Sequence, residues 1–162
     1  MSRIYSFVNI IQNTADYPLY EGYKRSLPHY DFRAFGAQCP DGVVNGVKAL
    51  AKKMREARYI WHVKPGGDGF GHVIHNAFAV GRPVITRKSH YAGCLAESLM
   101  VDQETVIDLD AHNIRENLEL IEHYSKEENW RKMSENVYNK FKAVVDYDKE
   151  ELVIRQFLEK LI

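Results

Sequence analysis

The sequence predicts an α/β domain, a parallel sheet covered by helices on both faces, and three observations carry that prediction. Short β-branched runs alternate with longer segments of helical period. A glycine-rich stretch sits where the third such run gives way to a helix. The last third of the chain is helical in period throughout. At 162 residues the chain suits one compact domain. A domain of that size buries roughly two thirds of its unfolded surface and needs no disulfide or metal to hold it.

Residues 3–11 (RIYSFVNII) read as the first strand. Pro18 stands where a helix can start, and Leu19, Tyr20, Tyr23 and Leu27 fall on one side of a helix ending before Pro28. Residues 31–37 form the second strand. Val43, Val47, Leu50 and Met54, at steps of four, three and four, predict an amphipathic helix over 41–57. Residues 59–63 (YIWHV) are the third strand, running into a glycine loop over 65–71. A short helix over 72–80 is closed by Gly81, with Pro83 just beyond. Residues 83–86 and 105–109 are two more strands, with a helix over 92–100 between them. Ile114, Leu118 and Ile121 then make one apolar stripe. Ser125 and Glu128 have capping-box spacing before Trp130, Met133, Val137, Phe141 and Val144. A final helix from about Asp148 carries Val153, Phe157, Leu158 and Leu161.

Composition excludes several classes of function. Twenty-two basic against 22 acidic residues give zero net charge, unlike the strongly basic domains that bind nucleic acid. No apolar run approaches the roughly 20 residues of a membrane span. The amino terminus lacks a small-residue cleavage site. Cys39 and Cys94 are too few and too far apart for a disulfide framework or a metal knuckle, so both read as small core residues. The expectation is a cytoplasmic protein, with a peripheral position at the inner face of a membrane as the alternative.

The informative stretch is VKPGGDGFGHVIHNAFAVGRPVI, residues 63–85. Gly66, Gly67, Gly69 and Gly71 remove side-chain bulk, so a ligand can approach the backbone. The following helix offers unpaired N–H groups and the positive end of its dipole to a phosphate. Asp68 can accept hydrogen bonds from sugar hydroxyls, and His72 and Asn76, four apart, share a helix face. Together these features suit a diphosphate with hydroxyl-bearing groups on either side, which describes a nucleotide sugar. In open parallel sheets such ligands sit beyond the carboxyl ends of the strands.

Other readings of the same residues are weaker. The stretch is also compatible with a tight strand-to-helix turn and no ligand. A dinucleotide fingerprint would need a third glycine where His72 stands and an acid after the next strand, which instead ends in Arg87 and Lys88. A P-loop would need a Gly-Lys-Ser/Thr, which does not occur. His72 and His75 are half a zinc site with no third ligand marked by spacing. For His62, within the third strand, a satisfied core histidine is the leading reading, while Lys64 suits either a phosphate or a snorkelling position.

The same stretch resembles the carboxyl-terminal, donor-binding half of a GT-B glycosyltransferase, in particular the retaining enzymes of glycosyltransferase family 4. Their hallmark runs roughly Pro-Ser-x-x-Glu-Gly-Phe-Gly, three or four residues, then Glu-Ala-Met-Ala-x-Gly-x-Pro-Val-Ile. It aligns here without insertion from Pro65 through Asp68, Gly69, Phe70 and Gly71 to Asn76, Gly81, Pro83 and Ile85. A Gly-x-x-x-Glu stretch, Gly93 to Glu97, follows in the expected order. The resemblance implies one half of a GT-B fold over 1–162: a single Rossmann-like doubly wound parallel sheet, helices on both faces and a helical carboxyl-terminal tail.

Residue by residue, the resemblance implies that Asp68 takes the place of the glutamate contacting the donor sugar. Asn76 takes that of the glutamate contacting the ribose. Asp68 and His72 are the candidate catalytic residues, and Lys64, Gly67, Gly69, Phe70, Gly71, Val73, Asn76, Arg87 and Lys88 the candidate substrate-binding ones. The family also carries an Arg and a Lys after its first strand to neutralise the diphosphate. Here Lys24 and Arg25 are the nearest candidates, with Arg87 and Lys88 as others. The resemblance further implies retention of configuration, no cofactor and no obligatory metal, the nucleotide sugar (a UDP or GDP sugar) being a substrate. It also implies a missing acceptor-binding half, supplied by a longer chain or by a partner. The apolar stripe of the last helix is then expected to stand partly exposed, packing on that half or, alternatively, on a second copy as a homodimer. Two rival readings share the architecture: a non-catalytic interaction domain, and a nucleotide-sugar 2-epimerase-type domain.

Overall fold

The computed structural model describes residues 2–65 and 71–160. Five parallel strands form one sheet: β1 (Ser2–Ser6), β2 (Tyr30–Ala34), β3 (Tyr59–Trp61), β4 (Val84–Thr86) and β5 (Val106–Asp108), in the order β2-β1-β3-β4-β5. Every neighbouring pair is parallel, so every connection must cross back over a face of the sheet. The crossovers contain α1 (Tyr17–Ser26), α2 (Val47–Glu56) and α3 (His72–Ala79), and the chain ends in α4 (Ile114–Tyr124), α5 (Glu127–Val144) and α6 (Tyr147–Glu159). This is the doubly wound α/β fold with a helical tail that the sequence predicts.

Two cores follow from the alternation of side chains along each strand. Ile4, Phe32, Tyr59, Trp61, Ile85 and Ile107 face one way and pack with Tyr20 and Tyr23 of α1, Ile121 of α4 and Met133 of α5. Tyr5, Ile60, Val84 and Val106 face the other way, under Met54 of α2, Ile74 and Phe78 of α3 and Val137 of α5. Trp61 lies at the centre of the first core, 1% exposed, with the rings of Tyr20 and Tyr23 at 5.6 and 5.2 Å.

The two edges of the sheet are closed in the same manner. On β2, the Asp41 carboxylate accepts the Ala34 N–H at 2.8 Å and also takes the Arg33 guanidinium at 3.0 Å. On β5, the Asp102 carboxylate accepts the Asp108 N–H at 2.9 Å.

Four elements differ from the sequence reading. The first strand stops at Ser6, not Ile11, because Val8 and Ile11 reach the core from a loop and a 3₁₀ turn (Ile11–Asn13). The helix expected over 41–57 starts only at Val47, since Gly42 and Gly46 adopt φ of 79° and 86°, a conformation no helix contains. Val43 and Val47 therefore stand 59% and 83% exposed, and Leu50 and Met54 alone of that stripe face the core. In place of a helix over 92–100 there are two 3₁₀ turns, Lys88–Tyr91 and Leu95–Leu99, separated around Gly93 at φ 74°. The capping box lies one helix earlier than expected, where Asn113 and Glu116 cap α4 reciprocally. Ser125 instead accepts the Tyr30 hydroxyl at 2.7 Å and donates to that of Tyr59, leaving Lys126 at the start of α5.

The expected exposure of the last helix is observed: Phe157 is 60% and Leu158 53% exposed, beside Leu152, Val153 and Ile154, while Leu161 lies outside the described residues. No described helix is long and apolar enough to cross a membrane. Cys39 is buried, as expected of a core residue, with its thiol 3.2 Å from the Val8 carbonyl; Cys94 is half-buried, and both are free thiols.

Candidate functional site at the carboxyl edge of the sheet

Strand order reverses between β1 and β3, since the chain moves from β1 outward to β2 and then returns to the other side of β1. Beyond the carboxyl ends of strands flanking such a reversal the crossovers diverge and leave a crevice. The segment following β3 leaves the sheet at that edge and ends in α3. Gly67, Asp68, Gly69 and Phe70, with Gly66, lie outside the described residues.

The flanks of the loop are described. Lys64 is half-buried beyond β3. His62 before it is buried, as the sequence suggests, its ring 5.9 Å from that of Tyr91, and its carbonyl accepts the Thr86 hydroxyl at 2.8 Å. On the far side, Gly71 adopts φ 77° and ψ 42°, the left-handed region, immediately before α3. A Cβ is disfavoured there, which supplies a physical need for glycine at this position. The Gly71 carbonyl accepts the first intrahelical bond from His75 N–H at 3.0 Å, and His75 Nδ1 lies at 3.0 Å from the same oxygen. The amides of Val73 and Ile74 belong to the first turn, where no intrahelical acceptor exists, and no described carbonyl takes them. His72 and Asn76 are exposed on a shared face, while Val73 is half-buried against the second core.

The basic candidates divide sharply. Lys24 and Arg25 occupy the last turn of α1, which returns toward β2, and so lie at the amino edge of the sheet, opposite the start of α3. They do not meet the site, and that expectation is corrected. Arg87 and Lys88 follow β4 at the correct edge. However, Arg87 is already held, its Nε 2.7 Å from Asp110 and its Nη1 3.2 Å from Asp16. The Lys88 amide donates to Asp108 at 3.0 Å, which fixes the start of the turn that carries the ammonium. At the same edge Gly93 N–H donates to the Glu97 carboxylate at 2.7 Å.

The aspartates that hold Arg87 and the Lys88 amide are not singled out by the sequence reading. Asp16 precedes α1, Asp108 ends β5 and Asp110 follows it, positions marked by topology and not by any motif. Burial raises the Asp110 carboxyl, but hydrogen bonds from Ser89 and Arg87 outweigh that and leave it below its ordinary value. Those bonds act on the charged form, so their stabilisation is complete above the unfolded carboxylate value of about 3.9 and is lost as pH falls through the lower folded value. Asp110→Asn is expected to flatten the acid limb of stability against pH; urea midpoints measured between roughly pH 3 and 7 check this.

No family model matches the sequence, and no curated protein matches it. In shape, the chain is similar to the crystal structure of the pneumococcal O-GlcNAc transferase GtfA in complex with UDP and GlcNAc, with a TM-score of 0.65 and 13% sequence identity. The superposition covers 98% of this chain and 36% of that one, so the chain spans little more than a third of the transferase's length. The likeness establishes a glycosyltransferase-like α/β fold, the GT-B half expected from the sequence, without singling out family 4.

Proposed function

We propose that this chain is the donor-binding half of a retaining glycosyltransferase and binds a nucleoside-diphosphate sugar at the carboxyl edge of its sheet. The observation that carries the reading is the opening of α3 directly after β3, through a left-handed Gly71, beside the reversal of strand order. The first-turn amides and the helix dipole then meet the diphosphate and stabilise the charge that develops on it as the glycosidic bond breaks. Asp68 positions the sugar through its hydroxyls, with His72 beside it, and Asn76 accepts from the ribose. Gly67, Gly69, Phe70 and Gly71 shape the loop beneath the ligand. Lys64 and Lys88 supply cationic charge. Arg87, whose Nε and Nη1 already serve Asp110 and Asp16, contributes through its field and by fixing the edge.

Asn76 keeps the acceptor but not the charge of the glutamate it replaces, so its hydrogen bond is the weaker kind. The pneumococcal transferase of similar shape was crystallised in complex with UDP and GlcNAc, which supports this class of ligand. The reaction needs a second, acceptor-binding half, and the exposed apolar face of α6 is the surface offered to it or to a second copy of the chain. Isothermal titration of the chain with UDP, GDP and their sugar conjugates tests the donor reading. Saturable heat with one of them is expected; none at millimolar concentration would leave the non-catalytic interaction domain as the better reading.

A further inference from the structure

A second charged cluster lies across the sheet from this site. Arg3 at the start of β1, Arg55 at the end of α2, Arg58 before β3 and Arg82 before β4 converge at the amino edge. Together with Glu56 and Trp130 they line an open cleft of about 280 Å³. The guanidinium carbons of Arg58 and Arg82 sit 4.8 and 5.1 Å from the centre of the Trp130 ring. That ring is fixed by its own N–H, which donates to the Arg58 carbonyl at 3.0 Å. Arg82 is tied to the end of α2 by a 2.7 Å bond from Nη2 to the Arg55 carbonyl.

Acidic compensation at the cleft is sparse. The Glu56 carboxylate is turned to Lys53, 2.7 Å away. Glu127 reaches Arg58 at 3.0 Å but also serves Arg131 at 2.9 Å. Arg58 Nη1 and Arg82 Nε are shielded from water and meet no acceptor among the described residues. Burial, reinforced by the charges of Arg55 and Arg58, holds the Arg82 guanidinium below its usual value.

Such an arrangement is poor as a purely structural device. A buried donor without an acceptor is costly, and more so on a charged group. Contact with an aromatic ring returns part of that cost. Four guanidiniums at one cleft add mutual repulsion, which a bound anion would remove.

We infer that this cleft is an anion site and that its occupant is the phosphate group of a small molecule. Guanidinium forks match phosphate oxygens in pairs, which favours arginine over lysine where a phosphate must be oriented. Pockets for drug-sized ligands occupy roughly 300–1,000 Å³, so this cleft takes a phosphate on a small body and not a whole nucleotide sugar. It is separate from the donor site, because it opens at the amino ends of the strands.

The test is titration of the chain with inorganic phosphate at constant ionic strength, followed by tryptophan fluorescence. Trp61 is sealed in the core, so Trp130 reports the cleft. The expected result is a saturable change with a midpoint on the order of a millimolar, weakened about tenfold, or roughly 1.4 kcal/mol, in Arg82→Gln. Arg55→Gln and Arg3→Gln alter exposed side chains and carry the comparison should Arg82→Gln fail to fold. A sugar monophosphate binding more tightly than inorganic phosphate supports the small-molecule occupant. Binding to phosphatidylglycerol vesicles with no response to either soluble phosphate overturns it in favour of a lipid headgroup. A non-saturating signal, or one unchanged in Arg55→Gln and Arg3→Gln, overturns the site altogether. A chain that binds UDP but fails these titrations loses this inference alone.

Discussion

Gly71→Val is expected to remove nucleotide binding while leaving the domain folded. At φ 77° a β-branched residue is forced into a region it rarely occupies, at a cost of about 1–2 kcal/mol or more. The chain can relieve that strain by rotating the peptide that enters α3, which re-aims the first-turn amides away from the crevice. Titration with UDP should show affinity reduced by more than about tenfold, a loss of 1.4 kcal/mol or more. The urea midpoint should move only by the strain itself. Unchanged affinity in a folded Gly71→Val protein would show that this turn does not present the diphosphate.

Trp61→Ala is expected to produce the largest loss of stability. The side chain is 1% exposed and packed by Tyr20 and Tyr23, so its removal leaves a cavity under α1 that rigid neighbours cannot refill. Substitutions of this kind cost about 3–5 kcal/mol, a large part of the roughly 5–15 kcal/mol that holds a domain together. Urea denaturation followed by far-ultraviolet circular dichroism measures it, with Phe157→Ser in α6 as the comparison. Phe157 is 60% exposed, and its replacement should change stability by less than about 0.5 kcal/mol.

The sheet and its order of elements were legible because buried parallel strands concentrate β-branched and aromatic residues, as YIW and VIT do here. The errors fell where apolar residues serve the core from irregular backbone. Ile11 continues the hydrophobic run of β1, yet it is buried from a 3₁₀ turn after Ile10 at φ 55°. Val43 continues the stripe of α2, but two positive-φ glycines place it outside any helix. In the site, the start of α3 announces itself by spacing. The clamp on Arg87 does not, because Asp16 and Asp110 lie 94 positions apart in sequence and meet only through the crossing of the strands. The arginine cleft was hidden for the same reason, its arginines lying in or just before four different elements, β1, α2, β3 and β4.

The aspartates at Ala34 and Asp108 bear on how the molecule keeps company. Each occupies an outward amide that an incoming extended peptide would need for pairing, and each puts negative charge in its path. Lateral growth of the sheet, the usual route from a lone α/β unit to fibrils or exchanged strands, is thereby discouraged. Association with a companion is left to side-chain surfaces, which can bind and release without dismantling the backbone ladder.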